Sequence, residues 1–268
     1  MKSSIGVFDS GFGGLSILRG IVKELPEYNY IYLGDNARSP YGDRPSKIVH
    51  GFTEQAVDFL FKKNCQLVIL ACNTSSSEAL REIQQNYLIK NHPEKRVLGV
   101  IIPASEYAVK KTRNKKIGVM ATTGTVKSGT FKQEIEKLDS EIEVFQQECP
   151  LLVPLVESGD QNSEITEKAL KQYISPLVKK DIDTLILGCT HYGLLGEQIK
   201  KIISETKPSS KEISIISEGN IVAKKLKGYL KRHPEIENKI EKTTKESFIP
   251  QVRQINLAKE EAFFLVIK

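Results

Sequence analysis

Two segments of this chain share one pattern, an apolar run that ends in cysteine and continues with small polar residues. Residues 67–74 are LVILACNT and residues 184–191 are TLILGCTH, with Cys72 aligned on Cys189. An uncharged, β-branched run of this length is typical of a buried parallel strand. Each cysteine is then expected at the carboxyl end of its strand, where open α/β sheets bind ligands.

A second pair of segments extends the repeat. Residues 5–11, IGVFDSG, resemble residues 117–124, IGVMATTG, and both are apolar strands that continue into small polar residues and glycine. The spacing from this segment to the cysteine segment is similar in both copies. We interpret the chain as two related halves. The alternative is that these are unrelated neighbouring strands of one sheet.

Strand and helix patterns alternate along the whole chain, which predicts βα units and parallel sheets covered by helices. The predicted strands are 5–8, 30–33, 67–71, 97–101, 117–121, 142–146, 184–188 and 213–216. The predicted helices are 14–24, 46–63, 76–89, 104–112, 125–138, 163–180, 194–205 and 219–231. We expect residues 1–97 plus 207–268 to form one α/β domain and residues 98–206 a second. The apolar segment 263–267 fits either a closing strand or the end of a helix.

Composition excludes several classes of protein. The formal charge of +6 comes largely from scattered lysines, and aromatic residues are only 7% with no tryptophan, so no stacking surface for nucleic-acid bases is expected. No run of about 18 apolar residues predicts a membrane span, and the N-terminus has no signal-peptide pattern. We expect a cytoplasmic protein with neither nucleic acid nor membrane as partner, in which the 4 cysteines stay reduced.

Two thiols presented by two related halves suggest acid–base chemistry. If one cysteine is a thiolate and the other a thiol, the first can remove a proton from one face of a carbon acid while the second protonates the other face. The result is inversion of a stereocentre with no cofactor. The alternative for either cysteine alone is a small buried apolar residue. Cys65 and Cys149 are interpreted as structural.

Polar neighbours of these cysteines fit the scheme. Asp9 or His191 could accept or orient a thiol proton, and Asp35 and Glu157 are further carboxylates in loops that could reach the site. Short, largely neutral donors for a substrate carboxylate are Ser10, Asn73, Thr74 and Thr190. Asp9 and Ser10 could instead cap the following helix, and Glu157 could be a surface residue.

These residues could also serve in three other ways. Cys72, Cys189 and His191 could ligate zinc, but a fourth partner at ligand spacing is missing, so no metal is expected. The two thiols could form a redox pair, although such pairs are usually close in sequence. The glycine-rich loop 9–14 could hold a phosphate, but it matches no nucleotide-binding motif.

Four motifs give the chain a resemblance to a known family. They are residues 6–14, GVFDSGFGG, residues 32–42, YLGDNARSPYG, residues 71–74, ACNT, and residues 187–192, LGCTHY. In collinear order over about residues 5–220, they resemble the glutamate racemases of the cofactor-independent aspartate/glutamate racemase family. Residues 150–157, PLLVPLVE, are also similar to the family's segment before its active-site glutamate.

The resemblance implies two pseudosymmetric α/β domains with the active site in the cleft between them. It implies interconversion of L-glutamate and D-glutamate for peptidoglycan precursors and cell-wall synthesis, without a cofactor. Cys72 and Cys189 would be the two proton donors and acceptors, assisted by Asp9, Asp35, Glu157 and His191. The substrate contacts would be Asp9, Ser10, Tyr41, Gly42, Asn73, Thr74, Thr190 and His191. A homodimer is compatible with the sequence, which does not determine the oligomeric state.

The chain departs from the family pattern in two places. Gly193 stands where proline is usual, and Ser217-Glu218-Gly219 replaces a segment of the Asp-Ser-Gly type, so the local capping there is not predicted. Two alternatives to glutamate racemisation stay open. One is aspartate racemisation, and the other is a protein that binds an acidic amino acid in its cleft without turning it over.

Overall fold

Strands and helices alternate through a computed structural model that describes residues 3–206, 212–242, 251–257 and 260–267. The first part of the chain contains β1 (Ser4–Asp9), α1 (Leu15–Glu24), β2 (Tyr30–Gly34), α2 (Ser46–Lys62), β3 (Cys65–Leu70), α3 (Asn73–Glu78), α4 (Leu80–Glu82), a π-helical turn (Ile83–Tyr87), α5 (Leu88–Asn91) and β4 (Arg96–Gly99). The middle part contains α6 (Ile101–Lys111), β5 (Lys116–Ala121), α7 (Thr123–Ser128), α8 (Thr130–Leu138), β6 (Glu143–Glu148), α9 (Leu152–Glu157), α10 (Glu164–Lys179), β7 (Thr184–Gly188), a 3-10 helix (Thr190–Leu195), α11 (Gly196–Thr206) and β8 (Ser214–Ile216). The last part contains α12 (Gly219–Arg232), α13 (Pro234–Glu237), β9 (Gln251–Leu257) and β10 (Glu260–Ile267).

The strands form two sheets of matching topology. The parallel strands of the first sheet follow the order β4-β3-β1-β2, and the second sheet follows the order β8-β7-β5-β6. The registers match as well, because Ile5 pairs with Leu67 in the first sheet and Ile117 pairs with Thr184 in the second. These are the residues that the sequence repeat aligns. The predicted α/β class with two related parallel sheets is therefore confirmed.

The first sheet also contains two antiparallel strands, of which only the second, β10, was among the possibilities predicted from the sequence. β10 pairs with β2, and β9 pairs with β10, so the sheet has the order β4-β3-β1-β2-β10-β9. The short connection between β9 and β10 allows only an antiparallel pair, since a parallel pair needs a long crossover. The segment 263–267 is thus a strand, one of its two predicted possibilities.

Sheet membership bears on the predicted domain boundaries. β8 pairs with β7, so this strand joins the second sheet although it follows the predicted boundary at 206–207. The preceding residues 207–211 lie outside the described part of the chain. The assignment of residues 1–97 plus 207–268 and of 98–206 to two domains stays a prediction.

Several helices differ from their predicted bounds. The helix predicted at 125–138 is divided into α7 and α8 because Gly129, with φ of 66°, ends the first of them in a left-handed conformation. The helix predicted to begin at residue 76 begins at Asn73, directly after Cys72. The short helix α9 was not predicted, since its six residues are too few for a helical period and include Pro154.

Apolar side chains cover both faces of each sheet. Val7 of β1 and Leu226 of α12 belong to one hydrophobic cluster of the first sheet. Val119 of β5 and Ile221 of α12 belong to a cluster of the second sheet. Helix α12 therefore contributes to the cores of both halves, and its first turn lies where they meet.

Candidate active site

Cys72 lies at the carboxyl end of β3, where the strand continues directly into α3. Its sulfur accepts a hydrogen bond from the backbone N–H of Ser75 at 3.5 Å, so the thiol caps this helix. The thiol also donates to Ser10 Oγ at 3.5 Å, and the residue is only 5% exposed. Burial, together with the negative charge of Asp9, raises the pKa of the Cys72 thiol. At neutral pH this sulfur therefore carries its proton.

Cys189 occupies the equivalent place at the end of β7, before the 3-10 helix. It is 8% exposed, and its sulfur lies 3.7 Å from Nδ1 of His191. The two cysteines thus have different neighbours, a carboxylate near Cys72 and an imidazole beside Cys189.

His191 links Cys189 to Glu157. Nε2 of His191 lies 2.5 Å from Oε1 of Glu157, so each ring nitrogen faces an acceptor. Burial by itself would lower the pKa of His191, but the hydrogen bonds to Cys189 and Glu157 and the nearby negative charges outweigh it and raise the pKa to about 11. The imidazole is therefore cationic at neutral pH and donates from both nitrogens. The same hydrogen bond lowers the pKa of Glu157.

Both cysteines line one small cavity between the two sheets, which we name the central cavity. Its volume is about 10 Å³, the room that a single water molecule needs. Its lining consists of Ser10, Pro40, Tyr41, Gly42, Cys72, Asn73, Thr74, Thr122, Val153, Cys189, Thr190 and His191. All but three of these were predicted site residues.

Two hydroxyl groups face each other across the central cavity wall. Thr74 Oγ1 lies 3.0 Å from Thr122 Oγ1, and the latter donates to Thr125 Oγ1 at 3.0 Å. Close by, the backbone N–H of Gly124 donates to the carbonyl of Gly42 at 2.7 Å. These contacts join residues of the first half to residues of the second.

Asp9 lies behind the central cavity instead of lining it. Its carboxylate accepts hydrogen bonds from the backbone N–H of Gly11 at 3.1 Å and from Thr190 Oγ1 at 3.3 Å. Burial raises its pKa, although the positive charge of His191 and the backbone donors Gly14 and Gly11 partly offset the effect. Asp9 thus orients Thr190, which lines the cavity.

Asp35 is also buried, but it does not line the central cavity. It forms an ion pair with Arg38, whose Nε donates at 2.7 Å, and it accepts a hydrogen bond from the hydroxyl of Tyr41. Arg38 in turn stacks on the ring of Phe52 at 4.1 Å. Its carboxylate is engaged by Arg38 and Tyr41, and its predicted assisting role stays a prediction. Its contact with the site runs through Tyr41.

Glu157 has features of both interpretations that the sequence left open. Its side chain is 34% exposed, as for a surface residue, yet it bonds the buried His191. It touches the central cavity through this imidazole and does not line it.

Three residues that line the central cavity were not predicted from the sequence, namely Pro40, Thr122 and Val153. Thr122 could have been predicted, because the repeat that aligns residues 5–11 with 117–124 aligns it with Ser10. Pro40 and Val153 carry no chemical signal in sequence. Glu218, a further buried carboxylate, stands out in the sequence only as a departure from the family pattern.

The remaining thiols lie away from the central cavity. Burial raises the pKa of Cys65 to about 12, and it also raises the pKa of Cys149. All four cysteines are free and buried. Among the described residues, no group of three or more His, Cys, Asp or Glu side chains could hold a metal ion. Within the same residues, no helix has the length and apolar character that crossing a bilayer requires.

Comparison with protein families gives one match. A sequence profile described as Asp/Glu/Hydantoin racemase matches residues 5–218. Among curated proteins, a glutamate racemase of Persephonella marina is 46% identical over 199 residues, which is 74% of each chain. A glutamate racemase of Enterococcus faecalis is 44% identical over 202 residues, 75% of this chain and 72% of that protein.

Solved structures that resemble this fold are also glutamate racemases. A glutamate racemase isoform of Bacillus anthracis has a TM-score of 0.79 at 36% identity, covering 87% of this chain and 84% of its own. A glutamate racemase of Francisella tularensis, solved in complex with D-glutamate, has a TM-score of 0.77 at 33% identity, covering 87% of this chain and 83% of its own.

Proposed function

This chain belongs to the Asp/Glu/Hydantoin racemase family, and we propose that it interconverts L-glutamate and D-glutamate. It is an amino-acid racemase, an isomerase, as the sequence predicted. The choice of glutamate is supported by relatives that are themselves glutamate racemases and by a similar structure solved with D-glutamate.

The proposed mechanism is a 1,1-proton transfer between two bases. One cysteine, as thiolate, removes the α-proton of glutamate, and the electron pair stays on the α-carbon. The other cysteine, as thiol, then gives its proton to the opposite face of that carbon. The substrate leaves with inverted configuration, and the two sulfurs have exchanged protonation states.

The neighbours of the two sulfurs support a starting state. Cys72 carries its proton at neutral pH because burial and Asp9 raise its pKa. Cys189 lies beside a cationic His191, which offers its sulfur a positive charge and a hydrogen-bond donor. We therefore assign the proton donor to Cys72 and the base to Cys189 for turnover in one direction. The reverse direction begins from the opposite assignment.

Most of the catalytic effect must come from stabilising the negative charge that develops on the substrate. The α-proton of an amino acid is weakly acidic. Hydrogen-bond donors to the substrate carboxylate therefore have to stabilise the developing negative charge, and they do so most strongly in a site from which water is excluded. Ser10, Asn73 and Thr74 offer such donors around the central cavity, whereas the hydroxyls of Thr122 and Thr190 already donate to Thr125 and Asp9. Their hydroxyl and amide groups add no negative charge.

One observation carries the proposal. The sulfurs of Cys72 and Cys189 come from equivalent positions in two related halves and line the same cavity. A structural cysteine in each half would have no reason to face a shared cavity.

Racemisation in heavy water tests the two-base mechanism. With L-glutamate as substrate, we expect the D-glutamate formed to carry deuterium at the α-carbon, measured by mass spectrometry. Cys72→Ser and Cys189→Ser should each lose racemisation almost completely, because serine is far less acidic than cysteine. Cys65→Ala, which removes a buried thiol outside the cavity, is the matched control. Near-normal racemisation by either serine variant would exclude the mechanism.

The same measurements separate the alternatives. A protein that only binds an acidic amino acid would cause no α-deuteration. Circular dichroism with L-glutamate, L-aspartate and L-alanine distinguishes glutamate from aspartate as the substrate. The role in peptidoglycan synthesis and the cytoplasmic location are part of the proposal. They predict that cells depleted of this protein recover when D-glutamate is supplied.

A further inference from the structure

Glu218 is a buried carboxylate that the proposed mechanism does not use. It stands immediately before α12, in the position where a side chain would cap the helix, but it makes no capping hydrogen bond. Its Oε2 instead accepts a hydrogen bond from Nδ2 of Asn73 at 2.9 Å. The contact joins residues that are 145 positions apart in sequence. Because Glu218 bonds Asn73 and does not cap its own helix, capping does not explain why this carboxyl group is buried here.

The surrounding packing determines where Glu218 lies. A Cβ placed on Gly20 of α1 would come within 2.6 Å of the backbone of Gly219, so the two helices touch main chain to main chain at this point. Glu218 is the residue next to this contact and is only 3% exposed. The start of α12, and with it the carboxyl group, is thus held against the rest of the fold.

Asn73 is the residue that follows Cys72, and its side chain lines the central cavity. Its Nδ2 has two hydrogens, and the bond to Glu218 uses one of them. This bond fixes the plane of the amide. Among the described residues, Oδ1 of Asn73 has no hydrogen-bond partner, although the residue is only 2% exposed. Because this oxygen has no partner there, the hydrogen bond from Nδ2 to Glu218 is what orients the amide of Asn73.

Glu218 can accept this bond without placing a charge behind the cavity. Burial raises its pKa to about 8, and the negative charge of Asp9 acts in the same direction. In the neutral form one oxygen still accepts from Asn73. Glutamine has the same shape and also offers a carbonyl oxygen, so it should replace this form of the side chain.

We propose that Glu218 is a positioning residue for the racemase reaction, which holds the amide of Asn73 in the cavity wall beside Cys72. This inference rests on the proposed glutamate racemisation for its kinetic test.

Two variants separate positioning from packing. Glu218→Ala removes the acceptor, and we expect kcat/KM for L-glutamate to fall about tenfold, mainly through KM, since one neutral hydrogen bond is lost. Glu218→Gln keeps the acceptor and is expected to stay within about twofold of the wild type. Glu106→Ala, which removes an ion pair with Lys225 of the same helix α12, is the matched control and should not change either constant.

A double substitution tests whether Glu218 acts through Asn73. In an Asn73→Ala background, Glu218→Ala should cause no further loss of kcat/KM. An equal additional loss, a normal Glu218→Ala enzyme, or a Glu218→Gln enzyme as impaired as the alanine variant would each overturn the inference. None of these outcomes would affect glutamate racemisation by the wild type, which tests the proposed function alone.

A measurement that does not depend on catalysis separates the positioning role of Glu218 from the proposed glutamate racemisation. The side-chain amide of Asn73 can be assigned in an NMR spectrum by its disappearance in Asn73→Ala. We expect its chemical shifts to be retained in Glu218→Gln and changed in Glu218→Ala. Unchanged shifts in the alanine variant would overturn the positioning role even if the wild type proved inactive on glutamate.

Discussion

Cys72 and Cys189 occupy equivalent positions in the two halves, but their neighbours have opposite charge. Burial, together with the negative charge of Asp9, raises the pKa of the Cys72 thiol, whereas the cationic His191 lies 3.7 Å from the sulfur of Cys189. The proposed two-base mechanism starts with a proton on one sulfur and none on the other, and these neighbours favour the proton on Cys72. The repeated fold therefore places a thiol at the same position in each half, and the neighbouring side chains, Asp9 in one half and His191 in the other, give the two thiols different electrostatic surroundings.

Glu218 provides a pH-dependent prediction at the same scale. Its pKa is about 8 in the folded protein against an ordinary value of 4.5, so the folded state binds this proton more tightly than the unfolded state. The contribution of Glu218 to stability is therefore fully present below pH 4.5 and is lost as the pH rises towards 8. Between these pH values the contribution of Glu218 to the free energy of unfolding falls by about 1.4 kcal/mol per pH unit.

Replacing the carboxyl removes this slope. We expect Glu218→Gln to unfold at higher denaturant concentration than the wild type at pH 8, with the difference shrinking towards pH 5. Urea unfolding followed by circular dichroism at several pH values measures it. A difference that is constant with pH would mean that Glu218 is ionised in the folded protein near its ordinary pKa.

Helices α1 and α12 show how two elements determine the position of a site residue. They touch at Gly20 and Gly219, where no side chain separates the two backbones. This close contact brings the start of α12 to the carboxyl ends of the strands, beside Asn73. A side chain at Gly20 would have to push the helices apart, whereas a Cβ on Gly219 would make a tight contact of 3.0 Å with the carbonyl oxygen of Ser16.

Gly20→Ala is therefore expected to destabilise the fold by about 1–3 kcal/mol, because its Cβ would lie 2.6 Å from backbone atoms that cannot rotate away. Gly51→Ala in α2 is the matched control. Apart from the adjacent residues and the backbone of its own helix, no atom lies within 4 Å of a Cβ at that position. This helical alanine should stabilise the protein by about 0.5–1 kcal/mol. Chemical unfolding of both variants checks the pair, and equal effects would contradict the contact described for α1 and α12.

Element prediction succeeded where a segment has a clear period and failed where it does not. The parallel strands that line the site were found because each is an uninterrupted apolar run. Helix α9 was missed because six residues hold too little of a helical period, and yet it places Glu157 beside His191. Likewise, the break at Gly129 depends on a left-handed backbone that the sequence permits but does not require.

At the scale of the whole molecule, the halves are closed on each other. The central cavity of about 10 Å³ is far too small for glutamate. Contacts between the halves, such as the hydrogen bond from Gly124 to Gly42, hold it shut. Substrate can therefore reach the two cysteines only if the halves separate.

Thiol alkylation tests this opening. We expect Cys72 and Cys189 to react slowly with iodoacetamide, at a rate set by separation of the halves, since they are only 5% and 8% exposed. Glutamate at ten times its Kd should slow both reactions about tenfold. Mass spectrometry of the modified peptides follows each site, with the fully buried Cys65 and Cys149 as internal controls. Fast alkylation of the free protein that glutamate does not slow would contradict a closed cavity around the substrate site.

The sequence alone determined the repeat, the parallel strands and the two cysteines at their carboxyl ends, because these features depend on local hydrophobic patterns and on the identity of aligned residues. The tertiary structure alone decided which polar groups meet. Asp35 is bound by Arg38 and Tyr41, His191 is paired with Glu157, and Asn73 is held by Glu218. The last two pairings join residues that are 34 and 145 positions apart, and they depend on how closely the two halves and helix α12 pack. The contacts of Asp35 lie within one loop, and they depend on the conformation that this loop adopts in the fold. No local pattern contains that information.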